Sequence, residues 1–184
     1  MDRLWAPWRM VYILSAAKDR PGEGSEVLDP RSGCIFCDLP AMGPERQRDN
    51  LILSCGERVF LILNRYPYNN GHLLVVPRAH VPDPMALSPG DYLLLSELLR
   101  RATAALGQLM GCDGINLGMN LGRTAGAGID QHCHYHLVPR WDGDTNFMPV
   151  VGQTKVISED LWGSYDRLLP DMGQLARQVE RELG

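Results

Sequence analysis

Gln131-His132-Cys133-His134-Tyr135-His136-Leu137-Val138-Pro139 is the stretch on which the reading of this chain turns. Three of the chain's five histidines stand here at a spacing of two. In a β-strand alternate side chains point to one face, so a strand over 132–138, closed by Pro139, presents three imidazoles on one surface. Cys133, Tyr135 and Leu137 then point the other way, into a core. A solvated histidine face and a metal-binding ladder are the plainer readings. Catalysis on phosphate is the favoured one, because neutral imidazole is a nucleophile near pH 7 and imidazolium donates hydrogen bonds to phosphate oxygens.

Upstream of these histidines lies Gly122-Arg123-Thr124-Ala125-Gly126-Ala127-Gly128. A glycine-rich loop lets backbone N–H groups turn toward an anion, although a plain turn reads the same. Further out, Leu51–Cys55, Val59–Asn64, His72–Pro77 and Ile115–Leu121 read as strands rich in branched and apolar residues. Gly33–Asp38 reads as a tight turn bearing two thiols. Ser88-Pro89-Gly90-Asp91 reads as a helix start, followed by leucines and alanines at three and four up to Gly111. Residues 142–154 read as a polar loop and 170–183 as a C-terminal helix. Strands before and after one helix predict an α+β fold with an antiparallel sheet.

At 184 residues and 45% hydrophobic, the chain suits one domain with extensions, and its 13 prolines and 19 glycines argue against a long helical bundle. A net charge of -4 gives no reason to expect a nucleic-acid polymer as partner. No stretch approaches the roughly 20 apolar residues of a membrane span. Met10–Ala17 is apolar, but Pro7, Arg9 and two tryptophans break up any secretory signal, so a cytoplasmic location is expected. The odd count of five cysteines, two of them in Cys34-x-x-Cys37, suits metal or redox chemistry in a reducing compartment.

His132-Cys133-His134-Tyr135-His136-Leu137-Val138 resembles the motif of the histidine-triad (HIT) family, in which histidines alternate with apolar residues. That resemblance implies a HIT domain over 34–141, an N-terminal extension over 1–33 and a C-terminal loop and helix over 142–184. It implies an antiparallel sheet of about five strands with one main helix and a C-terminal helix. It also implies that His134 attacks the α-phosphorus of a nucleoside phosphate, with His136 and His72 flanking the phosphate. By the same resemblance Asn64 falls at a ribose-binding position, and Asn120, Gly126 and Gly128 fall in the phosphate loop. Leu4–Arg9, Asn64–Asn69, Val138–Trp141 and Gly143–Phe147 look like the bacterial branch related to diadenosine tetraphosphate phosphorylases. Gly128 departs from the Gln or Ser that many members carry there to hold the leaving group; backbone N–H groups or the Thr145-Asn146 loop are the substitutes at hand.

A thioredoxin-type Cys-x-x-Cys opens a helix in a βαβ unit, a pattern not expected here. Members of the family and the related galactose-1-phosphate uridylyltransferases hold zinc with such a pair and two histidines. The resemblance therefore implies a Cys34, Cys37, His80, His132 site for structural zinc. Cys55, Cys112 and Cys133 read as core residues. The partners expected are a purine nucleotide or dinucleoside polyphosphate and a second copy of the chain, paired through the helix over 91–110 and the strand Ile115–Leu121. The rival functions are a nucleotide-binding regulatory module without turnover and a zinc-organised scaffold.

Overall fold

The computed structural model describes residues 33–145, 147–152 and 156–184. The Leu4–Arg9 segment, the Met10–Ala17 segment and Asn146 lie outside them. Five antiparallel strands form one sheet in the order β1-β2-β3-β5-β4. They are β1 (Ile52–Cys55), β2 (Val59–Leu63), β3 (Leu73–Pro77), β4 (Gly114–Gly118) and β5 (Tyr135–Arg140). β1, β2 and β3 sit where the apolar runs place them, each shortened by a residue at one end, whereas β4 starts one residue before Ile115 and stops three before Leu121. β5 starts three residues after His132 and is not closed by Pro139: it runs on to Arg140, because β3 pairs with it only as far as Leu137 and the missing N–H of Pro139 interrupts no ladder on that side.

The main helix α2 (Pro89–Met110) starts at Ser88, whose hydroxyl accepts the Asp91 N–H at 3.1 Å, and stops at Gly111. Gly111 adopts the left-handed conformation (φ 56°) that closes a helix C-terminus and that glycine reaches without a Cβ penalty. Leu94, Leu95, Leu98, Ala102 and Leu106 line its buried stripe, each 1% exposed or less. The helix lies on the face that carries Ile115 and Tyr135; Ile115 reaches Gly107, and Tyr135 stands near Tyr92.

The opposite face carries the histidines and receives α1 (Ile35–Ala41), whose Phe36 packs on Phe60 with ring centroids 6.4 Å apart. The Cys34–Cys37 pair is therefore not a bare turn: Cys34 caps a short helix, and its carbonyl accepts from Cys37 and Asp38 N–H. Two further readings change. The loop after β5 contains a short helical turn, α3 (Met148–Val151). The C-terminal helical region starts at Leu161 and divides at Gly173 into α4 (Leu161–Met172) and α5 (Leu175–Leu183). Asp160 caps α4 through the Trp162 and Gly163 N–H groups, a start that the apolar pattern does not reveal. Both helices pack on β1 and α2, burying Tyr165, Leu168, Met172, Ala176 and Val179.

Candidate functional site

Two side-chain clusters meet at the start of β5. The strand ladder begins only at Tyr135, so His132 and His134 stand on the chain leading into it. That chain is drawn to the segment after β3, where Val81 O accepts the Cys133 N–H at 2.7 Å. Alternation survives the loss of the ladder. Phe36 faces both His132 (5.4 Å between centroids) and His134 (4.8 Å), while Cys133 is buried away from them.

The first cluster joins Cys34 and Cys37 to His80 and His132, with one donor atom from each within 4.8 Å of all the others. His132 Nδ1 lies 3.4 Å from Cys34 Sγ and 3.6 Å from Cys37 Sγ, and His80 Nδ1 lies 3.3 Å from Cys37 Sγ. A tetrahedral zinc with bonds near 2.3 Å to sulfur and 2.0 Å to nitrogen spaces its ligands by roughly 3.3–3.8 Å, which matches. His132 Nε2 lies 2.9 Å from Pro77 O. A carbonyl only accepts, so Nε2 carries the proton and Nδ1 turns its lone pair to the thiols. Burial, reinforced by the Cys34 thiol, pushes the Cys37 thiol up to about 11. Two soft thiols and two imidazoles in this geometry fit a closed zinc site and leave no position for a substrate.

The second cluster is His72, His134 and His136, with Asn64 beside it. His134 is 6% exposed, and its Nδ1 lies 2.9 Å from the carbonyl oxygen of His132. The same proton logic puts hydrogen on Nδ1 and leaves the lone pair on Nε2. Burial holds His134 below the ordinary imidazole value, with the His132 carbonyl opposing in part, so Nε2 is available near pH 7.

His72 is oriented in the same way. Its Nδ1 accepts the Tyr68 N–H at 3.0 Å and has Asn64 Nδ2 at 3.3 Å. Neutral His72 therefore donates from Nε2 to His136 Nδ1, 2.9 Å away. His136 is then protonated on Nε2, facing away from His72. Burial, with a further contribution from His134, pulls His136 down to about 4. The rings of His134 and His136 are 4.9 Å apart between centroids. The arrangement thus offers a nucleophilic nitrogen on His134 and a hydrogen-bond donor on His136 side by side.

The sequence-derived residues fall into these groups with one looser set. Asn120 and the glycine loop are exposed or half-buried; Asn120 Nδ2 approaches Gly126 O at 3.5 Å, and a Cβ at Gly128 would meet open space. Cys133 is buried as expected, whereas Cys55 and Cys112 are half-buried. Tyr68, in a stretch that reads as a turn, is a site residue with no signal in the sequence. Its ring stands 4.7 Å from His72 and nearly parallel to His136, 5.9 Å away at 14°. Asp144 is another; it binds Arg140 through both oxygens at 2.5 and 2.7 Å and accepts from Asn69 Nδ2 at 2.8 Å.

A family model described as HIT domain matches residues 45–143. An AP-4-A phosphorylase of Mycobacterium tuberculosis is 35% identical over 160 residues, covering 86% of this chain and 78% of its own. A bis(5'-adenosyl)-triphosphatase of Dictyostelium discoideum is 30% identical over 98 residues, 53% of this chain and 65% of that one. Among solved structures, a Zn-bound histidine triad family protein from Mycobacterium smegmatis superposes with a TM-score of 0.59 at 24% identity, over 82% of this chain and 97% of that one.

Proposed function

Because this chain belongs to the HIT domain family, we propose that it is an enzyme that cleaves dinucleoside polyphosphates, such as diadenosine tetraphosphate, at an α-phosphate. The observation that carries this reading is the His134 ring, buried, neutral and pinned through Nδ1 to the His132 carbonyl. Its Nε2 lone pair forms a bond to the α-phosphorus while the bond from phosphorus to the bridging oxygen breaks. The electron pair leaves with the second nucleotide, and His134 becomes nucleotidylated. His136 Nε2–H donates to a phosphate oxygen as charge develops, and the His72 to His136 hydrogen bond holds that donor in place. Water or inorganic phosphate then attacks the same phosphorus and restores His134. The names of the two relatives, a phosphorylase and a triphosphatase, support a dinucleotide as substrate.

Asn64 is the proposed ribose contact, and Asn120, Gly126 and Gly128 the proposed phosphate loop. Cys34, Cys37, His80 and His132 would hold a zinc ion whose chemistry is structural, since four protein ligands leave no open position. The catalytic domain is 34–141, with extensions on both sides. Two copies pair about a two-fold axis through α2 and the β4 edge; exposed Tyr92, Leu93 and Leu117 support that surface. A cytoplasmic site of action agrees with the free thiols; among the described residues no helix is long and apolar enough to cross a membrane.

Product analysis with diadenosine tetraphosphate, with and without inorganic phosphate, tests the reading. ADP plus ATP formed only with phosphate identifies a phosphorylase, and AMP plus ATP a hydrolase. His134→Ala should lower turnover by roughly three orders of magnitude or more while nucleotide still binds. Near-normal activity in that variant, or binding without product by the natural protein, refutes the mechanism.

A further inference from the structure

We propose that the cavity beside His136, between β5 and β4, is the subsite for the second nucleoside of a dinucleoside polyphosphate, the half that departs when His134 is nucleotidylated. The inference rests on the function proposed above and deepens it.

Strand register sets its position. Asn64 follows β2, His72 precedes β3, and His136 in β5 pairs with Gly118 in β4. Asn64 and the cavity thus lie on opposite flanks of the histidine row. With the first ribose at Asn64 and the α-phosphate at His134 and His136, the remaining phosphates run past His136 toward β4. His136 itself lines the cavity, so the two spaces are continuous.

The cavity has a volume of about 500 Å³, within the roughly 300–1,000 Å³ usual for small-molecule sites. Its walls are the half-exposed Tyr68 ring and buried Val138, with the Gly118 backbone on one side and Asn116, Arg140 and Thr145 at the far end. A mostly apolar, aromatic-walled space with a few polar groups suits a heterocyclic base. The far end does not suit a free anion such as inorganic phosphate. Arg140 is already matched by both carboxylate oxygens of Asp144, and its third nitrogen donates to Asn116 Oδ1 at 2.9 Å. A neutral base loses nothing to that pairing, and the Asn116 amide nitrogen supplies a donor for it.

Gly118 provides the test, because it lines the cavity and a Cβ there would meet nothing within 4 Å. Steady-state kinetics are compared on diadenosine tetraphosphate and adenosine 5'-tetraphosphate, which keeps the same phosphate chain and lacks the second nucleoside. The natural protein should show a KM about tenfold lower for the dinucleotide. Gly118→Leu should raise that KM about tenfold and leave the mononucleotide's within about twofold. Asn116→Leu, which removes the amide donor at the exposed far end, should act in the same direction and keeps the test alive if the first variant folds poorly. A natural protein that turns over both substrates without preference, or variants that change both equally or neither, overturns the subsite alone. A natural protein that turns over neither overturns the underlying function and the subsite with it.

Discussion

Glu180, on the last helix, is the side chain whose removal should cost the fold most for its size. Its carboxylate sits over the β1–β2 hairpin and accepts three backbone N–H groups, from Glu57 at 2.8 Å, Arg58 at 2.7 Å and Val59 at 3.0 Å. Val59 is fully buried, so Glu180→Ala strands one N–H away from water at about 1–3 kcal/mol. Glu57 and Arg58 lie nearer solvent, where water takes the place of the carboxylate and each loss costs about 0.5–1 kcal/mol. The sum is about 2–5 kcal/mol, or a drop in Tm of roughly 4–20 °C for a chain of this size. Urea and thermal unfolding followed by circular dichroism read it directly. A companion variant sharpens the test: a Cβ on Gly56 would stand 2.2 Å from Glu180 Oε1. Gly56→Ala should therefore destabilise the natural protein and do much less harm beside Glu180→Ala, a coupling above about 1 kcal/mol. A loss below about 0.5 kcal/mol for Glu180→Ala, or additive effects in the double variant, would refute the reasoning.

Cys34→Ser should remove zinc from the purified protein and lower Tm, because a closed site ties α1 to the end of β3; a metal-free natural protein that melts at the same temperature as the variant would contradict this. Acid should weaken the fold through His136. Its folded value of about 4 lies below the ordinary 6.5, so the unfolded chain takes up the proton first, and stability present above pH 6.5 is lost as pH falls toward 4. After allowance for partial exposure the loss is about 1–2 kcal/mol, and a urea midpoint at pH 5 equal in His136→Gln and the natural protein, relative to pH 7.5, would count against it. Light scattering at micromolar concentration should give twice the 20.5 kDa of one chain, and a mass of one chain unchanged on concentration would exclude the pair.

The parts legible in the sequence were those governed by short-range periodicity. Alternation identified the histidine face, and threefold and fourfold leucine spacing with Ser88 and Gly111 bounded α2 almost to the residue. The family motif supplied the four cysteine and histidine residues whose donor atoms converge. Features set by partners distant in sequence did not show. Tyr68 sits in a stretch rich in Pro, Asn and Gly that reads as a turn, and only the fold lays its ring over His72 and His136. Asp144 looked like a solvated loop residue until Arg140 and Asn69 were brought to it. The two C-terminal helices were read as one short helix because Gly163, Pro170 and Gly173 dilute the pattern, while burial against β1 and α2 overrides those weak propensities.

His132 shows why alternation alone understates this site. Its Nε2–H is tied to Pro77 O, its Nδ1 faces the two thiols, and its carbonyl oxygen receives Nδ1–H of His134. One residue thus links the end of β3, the cysteine and histidine cluster and the tautomer of the proposed nucleophile. The three histidines of the row look equivalent in sequence, yet each is set by a different partner: one backbone carbonyl accepts from His132 Nε2, another accepts from His134 Nδ1, and His72 Nε2–H donates to His136 Nδ1. Those partners decide which ring nitrogen is left to act: Nδ1 toward the thiols, Nε2 as the proposed nucleophile, Nε2–H as the proposed donor. A change that frees the His132 ring is therefore expected to act at His134 through two residues of backbone, without any contact to a substrate.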